Sequence, residues 1–435
     1  MKRILVVVVL LAVLIAVPPF FGIGLQNALV NVLIAALFAV AFNLLVGQAG
    51  LLSFGHAAYF GMGAFAALHL MTSIEYGDIA FPTPLLPLAG GLMGLLVGVV
   101  AGFFATMRSG VYFALVTLAI AELFHSLAPH WEGMFGGEAG LSSMRMPWGG
   151  VGFGTTLEVY YLTLFWVSLS ILILWLYTRT PFGRLTLALR DNEQRVRFLG
   201  YNVHATKVIV FAVSAMFSGV AGSLLAISNE TANYTLFATQ ASAQVVLHTF
   251  VGGSTIFFGP AIGAAIFTLF AYLISDATRS WLLYQGLIFI LVMLYAPAGI
   301  GGVVQHHIRN WQRLDWHRVV GPYSVATAGA VLVSAAAVFL IETLSFLFGE
   351  EYALARRDAA GGFPDFEHFG VHWAPFSPLT WGLPLVLLVA GLWLILKARP
   401  SIAAIWDTVE EREAEAAFRQ EAEAEAAEMQ RVGAE

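Results

Sequence analysis

The sequence predicts an all-α protein, a polytopic integral membrane helical bundle of about ten core spans plus two extra C-terminal spans, with both termini cytoplasmic. Hydrophobic residues form 59% of the chain and charged residues only 11%, whereas soluble domains carry about 25% charged residues. Apolar runs of roughly 20 residues, each long enough to cross a ~30 Å hydrocarbon core, recur along the chain. Short segments of alternating hydrophobicity, typical of a membrane β-barrel, are not seen.

The apolar runs mark the expected spans. Two runs, 51–73 and 239–257, are polar for lipid-facing helices, so each is expected to be either a full span or a broken, re-entrant segment. Ile227 and Asp276 are both expected outside, so the chain between them must cross an even number of times. The runs fall near residues 4–22, 26–46, 51–73, 84–106, 110–129, 158–177, 207–227, 239–257, 259–275, 281–296, 323–346 and 379–396.

The distribution of basic residues sets the expected orientation. Lysine and arginine collect in the loops that this arrangement places in the cytoplasm, as the positive-inside rule requires. The exceptions are Arg145, Arg279, Arg356 and Arg357. The N-terminal stretch MKRILVVVVLLAVLIAVPPF also has the basic start and apolar run of a signal peptide. Because the small residues of a cleavage site do not follow the run, we expect a retained first span.

The C-terminal third differs in composition from the rest. From Asp407 onward, ten acidic and three basic residues occur, so the net charge of −6 belongs to this tail. The tail has a high helix propensity but almost no apolar stripe, which suits either a docking helix or a solvated tail. The expected organisation is an N-terminal span (1–25), a transmembrane core (26–301), a connector and two extra spans (302–400) around an outside loop (347–378), and the acidic Ala/Glu-rich cytoplasmic tail (401–435).

A glycine-rich, polar-spotted segment lies inside the apolar core, at NLLVGQAGLLSFGHAAYFGMGAF (43–65). Glycines allow a helix to break or to approach a neighbour closely, and uncharged polar groups offer hydrogen bonds. This combination predicts a broken helix beside a polar translocation path rather than a lipid anchor. The candidate pathway residues are Asn43, Gly47, Gln48, Gly50, Ser53, Gly55 and His56, with Glu122 in a later run.

Glu122 and His125 lie three residues apart on one helical face. An ionisable group in the membrane costs about 2.5–3.5 kcal/mol on insertion scales, so the pair needs an explanation. Proton coupling, an interhelical hydrogen bond and a lining role near the outer mouth all remain open. His56 and His248 have no metal-ligand spacing around them, so no metal site is expected. The chain contains no cysteine, which excludes disulfides and thiol catalysis.

Glycines also predict close helix packing. Gly90, Gly94, Gly98 and Gly102 repeat every four residues and therefore form a stripe on one helix face. Small residues at this spacing let helix backbones approach closely in lipid. The interface is expected either to rock during function or to be static packing.

The longest informative polar stretch is TRTPFGRLTLALRDNEQRVRFLGYNVHATK, residues 178–207. Apolar and charged faces alternate in it, which predicts a short amphipathic helix across the cytoplasmic end of the bundle. Such a helix lies on lipid or docks into a groove of a partner protein. The mixed charges and the turn at Gly200 suit the partner better, although residue types alone leave both open.

Five stretches, in order, resemble one family of membrane proteins. They are NLLVGQAGLLSFGHAAYFGMGAFAA, VTLAIAEL, the pattern G-R-x(5)-R-D-N-E-x(5)-L-G-x-N-V, GGSTIFFGPAIGAAIF and LYAPAGIGG. Together they look like permeases of bacterial ABC importers for branched-chain amino acids, closest to the LivM type. The resemblance covers residues 26–301. The extension 302–435 departs from the common family pattern, and FGGEAGL is only a loose form of the family's Gly-Gly-rich outside segment.

The resemblance implies that the chain forms half of a pore and has no ATPase of its own. The phosphate-binding pattern G-x-x-x-x-G-K-[ST] needs a lysine, and the only lysines, Lys2, Lys207 and Lys397, lack that context. We therefore expect no catalytic residue and no bound cofactor, with ATP used by separate subunits. The implied partners are two cytoplasmic ATPase subunits, a periplasmic substrate-binding protein, a second homologous permease subunit in a heterodimer and membrane lipid, without nucleic acid, in the bacterial inner membrane.

The resemblance makes residues 178–207 the coupling loop to the ATPase subunits. Its charged residues would form switchable ion pairs in the ATPase groove, and its glycines would permit bends. The implied coupling residues are Gly183, Arg184, Arg190, Asp191, Asn192, Glu193 and Gly200.

Several functions remain to be distinguished. The leading one is half of a translocation pore for branched-chain amino acids, delivered by the binding protein. The same importer class also carries urea, short amides or other small polar solutes. A proton-coupled secondary transporter using Glu122 and His125 is a further alternative, although no internal repeat is visible. A membrane-embedded enzyme would need more clustered titratable groups than this core supplies.

Overall fold

The structure is a computed structural model that describes residue 9 and residues 11–311, 314–358, 363–368 and 370–432. Helices follow one another along almost all of these residues. They are α1 (Leu11–Phe20), α2 (Ile23–Asn43), α3 (His56–Glu75), α4 (Leu86–Ala105), α5 (Val111–Leu127), α6 (Glu132–Phe135), α7 (Thr156–Arg179), α8 (Pro181–Asp191), α9 (Glu193–Phe198), α10 (Val203–Asn229), α11 (Thr239–Gly252), α12 (Gly259–Ile274), α13 (Trp281–Tyr295), α14 (Gly299–Arg309), α15 (Trp316–Leu347), α16 (Glu350–Asp358) and α17 (Pro378–Val432).

The described strands are short and lie in loops. β1 (Leu141–Ser142) pairs antiparallel with β2 (Thr231–Ala232), and β3 (Phe366–His368) pairs antiparallel with β4 (Val371–Trp373). Both sheets have two strands. They fasten loops rather than form a layer of the fold.

The described helices confirm a polytopic helical membrane bundle. Eight of them are long and apolar enough to cross a membrane, or nine spans result if α13 and α14, bent by 47° at their junction, count as one. The sequence led us to expect more. α11 has 14 residues and α12 has 16, short of the roughly 20 that a span needs, and much of the run 4–22 lies outside the described residues. The cytoplasmic location of both termini stays a prediction.

The structure resolves the two ambiguous runs differently. Run 51–73 forms α3, which is long enough to span. Run 239–257 forms the short helix α11, which begins beside Glu122 of α5 and leads to Ser254, whose carbonyl lies against Gly47 near the end of α2. α12 then returns, and its Tyr272 hydroxyl approaches Gly24 at the start of α2. The stretch therefore runs toward the end of α2 and back, while the outside location of Ile227 and Asp276 stays a prediction.

The chain divides into two compact units, the first containing residues 1–277 and 283–304. Its core surrounds α10, a helix with many small buried residues. The glycine stripe of α4 faces it, so that a side chain at Gly94 would collide with the carbonyl of Ala215, and one at Gly219 with the carbonyl of Gly90. α4 and α10 thus pack backbone against backbone, as the four-residue spacing predicts.

An extended loop after α6 closes the end of the first unit where α3 and α10 finish. The Glu75 carboxylate of α3 accepts hydrogen bonds from the Ser143 hydroxyl at 2.7 Å and the Met144 N–H at 3.0 Å. The Arg145 side chain pairs with Glu230, just after α10, at 3.1 Å. These contacts bind the loop to both helix ends.

The second unit contains residues 278–282 and 305–435. Its two long helices, α15 and α17, approach closely where a side chain at Gly329 would lie 2.7 Å from the Gly391 carbonyl oxygen. Between them, α16 and the β3–β4 hairpin hold a small aromatic cluster of Phe346, Tyr352 and Phe366. This unit is a helical hairpin with a folded loop.

Candidate functional site: the α2–α3 connection and the α8–α9 pair

A segment with a π-helical turn connects the separate spans α2 and α3, and we call its residues 44–55 the break. α2 first passes into a π-helical turn, Leu44–Gln48, and the chain is then non-helical until His56. π-turns are rare and often lie at functional sites. Gly50 has a φ of +70°, which favours glycine. The structure therefore has two separate spans, Ile23–Gln48 and His56–Glu75, joined by this segment, where the sequence predicted one broken helix.

Packing explains two glycines of the break. A side chain at Gly47 would collide with the Ser254 carbonyl and with the Asn43 side chain, and one at Gly55 would collide with the Thr117 carbonyl of α5. Backbone from two neighbouring elements, α5 and the loop between α11 and α12, thus lies directly on the break. Larger residues at these two positions would disturb folding as well as any pathway.

His56 is completely buried at the junction of α2, α3 and α10. Its Nδ1 lies 3.0 Å from the Ser53 hydroxyl oxygen and its Nε2 lies 2.8 Å from that of Ser214. Because the Ser214 hydroxyl donates to the Ala41 carbonyl at 2.6 Å, we assign the imidazole proton to Nε2 and let Ser53 donate to Nδ1. The side chain therefore connects three helices through satisfied hydrogen bonds.

Further hydrogen bonds hold the end of the break. The Phe54 N–H donates to the Thr117 hydroxyl at 3.1 Å and the Ala57 N–H donates to the Ser242 hydroxyl at 3.0 Å. These side chains belong to α5 and α11. They replace the intrahelical partners that the first N–H groups of a helix lack.

The structure places the predicted pathway residues in two environments. Asn43, Ser53 and His56 are buried inside the unit, and the Oδ1 of Asn43 has no hydrogen-bond partner among the described residues. Gln48 is partly exposed and Gly50 is exposed. The pathway role of these residues stays a prediction.

Glu122 lies away from the break, on α5. Its carboxylate accepts a hydrogen bond from the Thr239 hydroxyl at the start of α11. One turn along, the His125 imidazole lies 3.3 Å from the Tyr234 carbonyl oxygen. Both side chains therefore hold the segment between α10 and α11 against α5, which is the interhelical hydrogen bonding that the sequence left open.

Residues 178–207 contain two short helices rather than one, and we call α8 and α9 together the α8–α9 pair. Thr180 caps α8, accepting from the Gly183 N–H at 3.1 Å, with Pro181 at its first position. Asn192 caps α9, accepting from the Arg195 N–H at 2.9 Å. Gly200, with a φ of +86°, ends the pair. Local capping thus explains why the sequence folds into two helices here.

Packing fixes the α8–α9 pair against the bundle. Leu189, Val196 and Val203 form a small buried cluster that includes the start of α10. A side chain at Gly183 would collide with the Tyr177 carbonyl at the end of α7, so α8 turns tightly back from that helix. The pair is therefore a folded unit attached to α7 and α10.

The charged residues of the pair point in two directions. The Arg190 guanidinium donates to the Gly47 carbonyl at 2.5 Å, and the Glu193 carboxylate lies 2.7 Å from the Lys207 ammonium. Arg184 and Asp191 are exposed. Arg190 and Glu193 thus contact the bundle while keeping part of their surface exposed, and their predicted contact with a partner stays a prediction.

An apolar patch lies on the exposed surface of α9. Phe198 is 88% exposed and Leu199 is 69% exposed. Asn192, Gln194 and Arg195 line the same shallow depression. A large apolar side chain surrounded by polar groups is typical of a protein–protein contact.

Sequence reasoning missed the residues that anchor these elements. Thr117 binds the break and Lys207 binds the α8–α9 pair, while Ser109 binds Lys207. Ser214 and Ser242 bind the first turn of α3, at His56 and Ala57. One signal was available for Lys207, because it is a lone lysine at the start of an apolar run and needs a partner when buried. Serine and threonine in membrane helices are too common to be distinguished without the structure.

Comparison with known proteins places these features in a family context. The family described as branched-chain amino acid transport system, permease component, matches residues 24–297. The chain is 28% identical over 323 residues to the high-affinity branched-chain amino acid transport system permease protein LivM of Escherichia coli (strain K12), which covers 69% of the chain and 75% of that relative.

Permeases named for other solutes are also similar to this chain. The ribose import permease protein RbsC of Haemophilus influenzae is 30% identical over 257 residues, which covers 57% of the chain and 76% of RbsC. The galactose/methyl galactoside import permease protein MglC of Salmonella typhimurium is 28% identical over 287 residues, or 61% of the chain and 84% of MglC. No solved structure matches the chain significantly.

Proposed function

The chain belongs to the family of branched-chain amino acid transport system permease components, and from this we propose that it forms half of the translocation pore of an ABC importer. The matched region includes the break and the α8–α9 pair. In the proposed function, separate cytoplasmic ATPase subunits bind the exposed surface of that pair. A second, homologous permease subunit completes the pore in the bacterial inner membrane.

The observation that carries this proposal is the folded α8–α9 pair, fixed to the bundle and exposing an apolar patch. A pair fixed in this way can transmit a displacement from a soluble partner to the membrane helices. Phe198 and Leu199 offer the partner an anchor, and the polar side chains around it are Asn192, Gln194 and Arg195. Aromatic anchors within a polar rim carry much of the energy of protein interfaces.

We propose branched-chain amino acids as the substrate, delivered by a periplasmic binding protein. The support is the family and the LivM relatives. A path for a zwitterion needs polar groups without fixed charge, and the amide of Gln48 and the backbone of Gly50 are of that kind. Urea, short amides and other small polar solutes would meet the same groups.

Sugars are a second candidate substrate class. The similarity to permeases named for ribose and for galactose favours this alternative. Neutral hydroxyl-rich solutes and zwitterions both suit an uncharged path. The binding protein that accompanies the chain would distinguish them, because its ligand is the one presented to the pore.

The test is reconstitution. The chain is placed in proteoliposomes with the second permease subunit, the ATPase subunits and the binding protein encoded beside it, and uptake of labelled leucine, urea or ribose is measured. We expect uptake of leucine that needs internal ATP and the binding protein. Uptake of ribose or urea instead of leucine would change the proposed substrate, but the proposed role as half of an importer pore would remain. Uptake without any ATPase subunit would reject the importer assignment.

A further inference from the structure

Two polar joints attach the α8–α9 pair to different parts of the membrane bundle. The first joins the Arg190 guanidinium to the carbonyl oxygen of Gly47 in the break. The second joins the Glu193 carboxylate to the Lys207 ammonium of α10. We propose that these joints carry displacements of the α8–α9 pair into the break and into α10, so that Arg190, Glu193 and Lys207 are positioning residues for transport. This inference rests on the proposed coupling function.

The second joint is buried on the lysine side. The Lys207 side chain is 6% exposed, and its ammonium donates to Glu193 at 2.7 Å and to the Ser109 hydroxyl at 2.8 Å. Ser109 lies in the turn between α4 and α5. Removing one member of a buried pair leaves an uncompensated charge, which is strongly unfavourable. The start of α9, the start of α10 and the α4–α5 turn are therefore expected to move together.

An exposed contact to the same carboxylate provides a comparison. The Arg197 guanidinium lies 3.7 Å from the other Glu193 oxygen, and its side chain is 71% exposed. Exposed pairs of this kind contribute little because water and salt screen them. Lys207, and not Arg197, is thus the cation that fixes Glu193.

The first joint combines a hydrogen bond with packing. While the Arg190 guanidinium binds the Gly47 carbonyl, its aliphatic stem covers Gly50, where a Cβ atom would lie 3.1 Å from the Arg190 Cγ and 3.4 Å from its Cβ. Gly47 in turn touches the Ser254 carbonyl of the loop between α11 and α12. A displacement of the C-terminal end of α8 is therefore expected to displace the break and the loop between α11 and α12 that packs against it.

The charge pair is tested in the reconstituted complex, by measuring solute uptake and ATP hydrolysis in the same vesicles. Labelled leucine is the probe, or ribose where the wild type takes up ribose. We expect Glu193→Gln to lower the uptake per ATP hydrolysed by about fivefold or more, the lower range of coupling effects between sites. Exchanging the charges, Glu193→Lys with Lys207→Glu, is expected to restore that ratio.

The control variant is Arg197→Met, which removes the exposed cation beside the same carboxylate and is expected to keep the wild-type ratio. An assembled Glu193→Gln complex with the wild-type ratio would overturn the inference, as would an assembled exchanged pair that recovers nothing. Absence of ATP-dependent uptake in the wild type would instead reject the proposed function. If the exchanged pair does not assemble, the disulfide test below decides.

The Arg190 joint is tested by replacing it with a disulfide. The chain contains no cysteine, and the 3.4 Å between a Cβ at position 50 and the Arg190 Cβ is close to the 3.5–4.5 Å found in disulfides. In the variant Gly50→Cys with Arg190→Cys, the reduced protein lacks the joint and is expected to couple poorly. Oxidation with copper phenanthroline is expected to restore uptake per ATP, and dithiothreitol is expected to reverse the recovery.

The change in uptake per ATP on oxidation distinguishes a contact that persists during transport from one that must open. If the two elements must separate during transport, the disulfide will stop uptake, and the inference is wrong. A disulfide that forms without any recovery also contradicts it. Because cysteine at the positive φ of position 50 is strained, failure to form the disulfide leaves the decision to the Glu193→Gln variant. Single-cysteine variants, treated in the same way, control for the oxidant.

Discussion

The Nε2 atom of His56 lies 2.8 Å from the hydroxyl oxygen of Ser214, and this hydrogen bond ties the first turn of α3 to α10. His56→Leu removes it and leaves the Ser53 hydroxyl without its acceptor. Unsatisfied buried groups cost about 1–3 kcal/mol each, so we expect a clearly lower thermal midpoint in detergent. Ser214→Ala is expected to lower it as well, and the double variant by less than the sum, because the two share one network. Additive losses would contradict that network.

The contact between α4 and α10 makes a second prediction. Gly94→Leu would place a side chain on the Ala215 carbonyl, and overpacking costs about 1–3 kcal/mol or more. We expect less folded protein and a lower thermal midpoint. The matched control is Gly286→Leu on α13, where no atom lies within 4 Å of an added Cβ. Equal losses in both variants would show that leucine itself, and not the α4–α10 contact, is responsible.

The exposed patch on α9 predicts an effect on assembly. Phe198 is 88% exposed, so Phe198→Ser is expected to leave the thermal midpoint unchanged. Removal of an aromatic anchor typically costs about 2 kcal/mol or more of binding energy. We therefore expect weaker copurification of the ATPase subunits, measured by their yield on the tagged chain. Full copurification would place the partner contact elsewhere.

Glu122 predicts a distinction between transport mechanisms. Glutamine at this position keeps an acceptor for the Thr239 hydroxyl, whereas leucine removes it. We expect Glu122→Gln and the parent to show the same pH profile of uptake, and only Glu122→Leu to lower the thermal midpoint. Uptake driven by a pH gradient, with a profile that changes in Glu122→Gln, would favour a proton-coupled secondary transporter.

The sequence marked the end of α2 through Gly47 and Gly50, but the broken helix that it predicted is a connection between two separate spans. It also predicted close packing at the glycine stripe of α4, since four-residue glycine spacing constrains one helix face directly, but it did not name α10 as the partner. The lengths of α11 and α12 were harder to predict. Their polar and small residues make helix ends hard to read, and contacts with α2 and α5 decide where each helix stops.

Composition, apolar periodicity and motif order determined by themselves that this chain is a helical membrane permease. Those signals are local or cumulative along the chain, so they survive without coordinates. Only the tertiary structure decided the direction of each charged side chain on residues 178–207. Arg190 shares α8 with Arg184 and Asp191, and Glu193 begins α9, yet Arg190 meets Gly47 and Glu193 meets Lys207 of α10. Each partner belongs to another element, and no local pattern records a contact that exists only after the helices have packed.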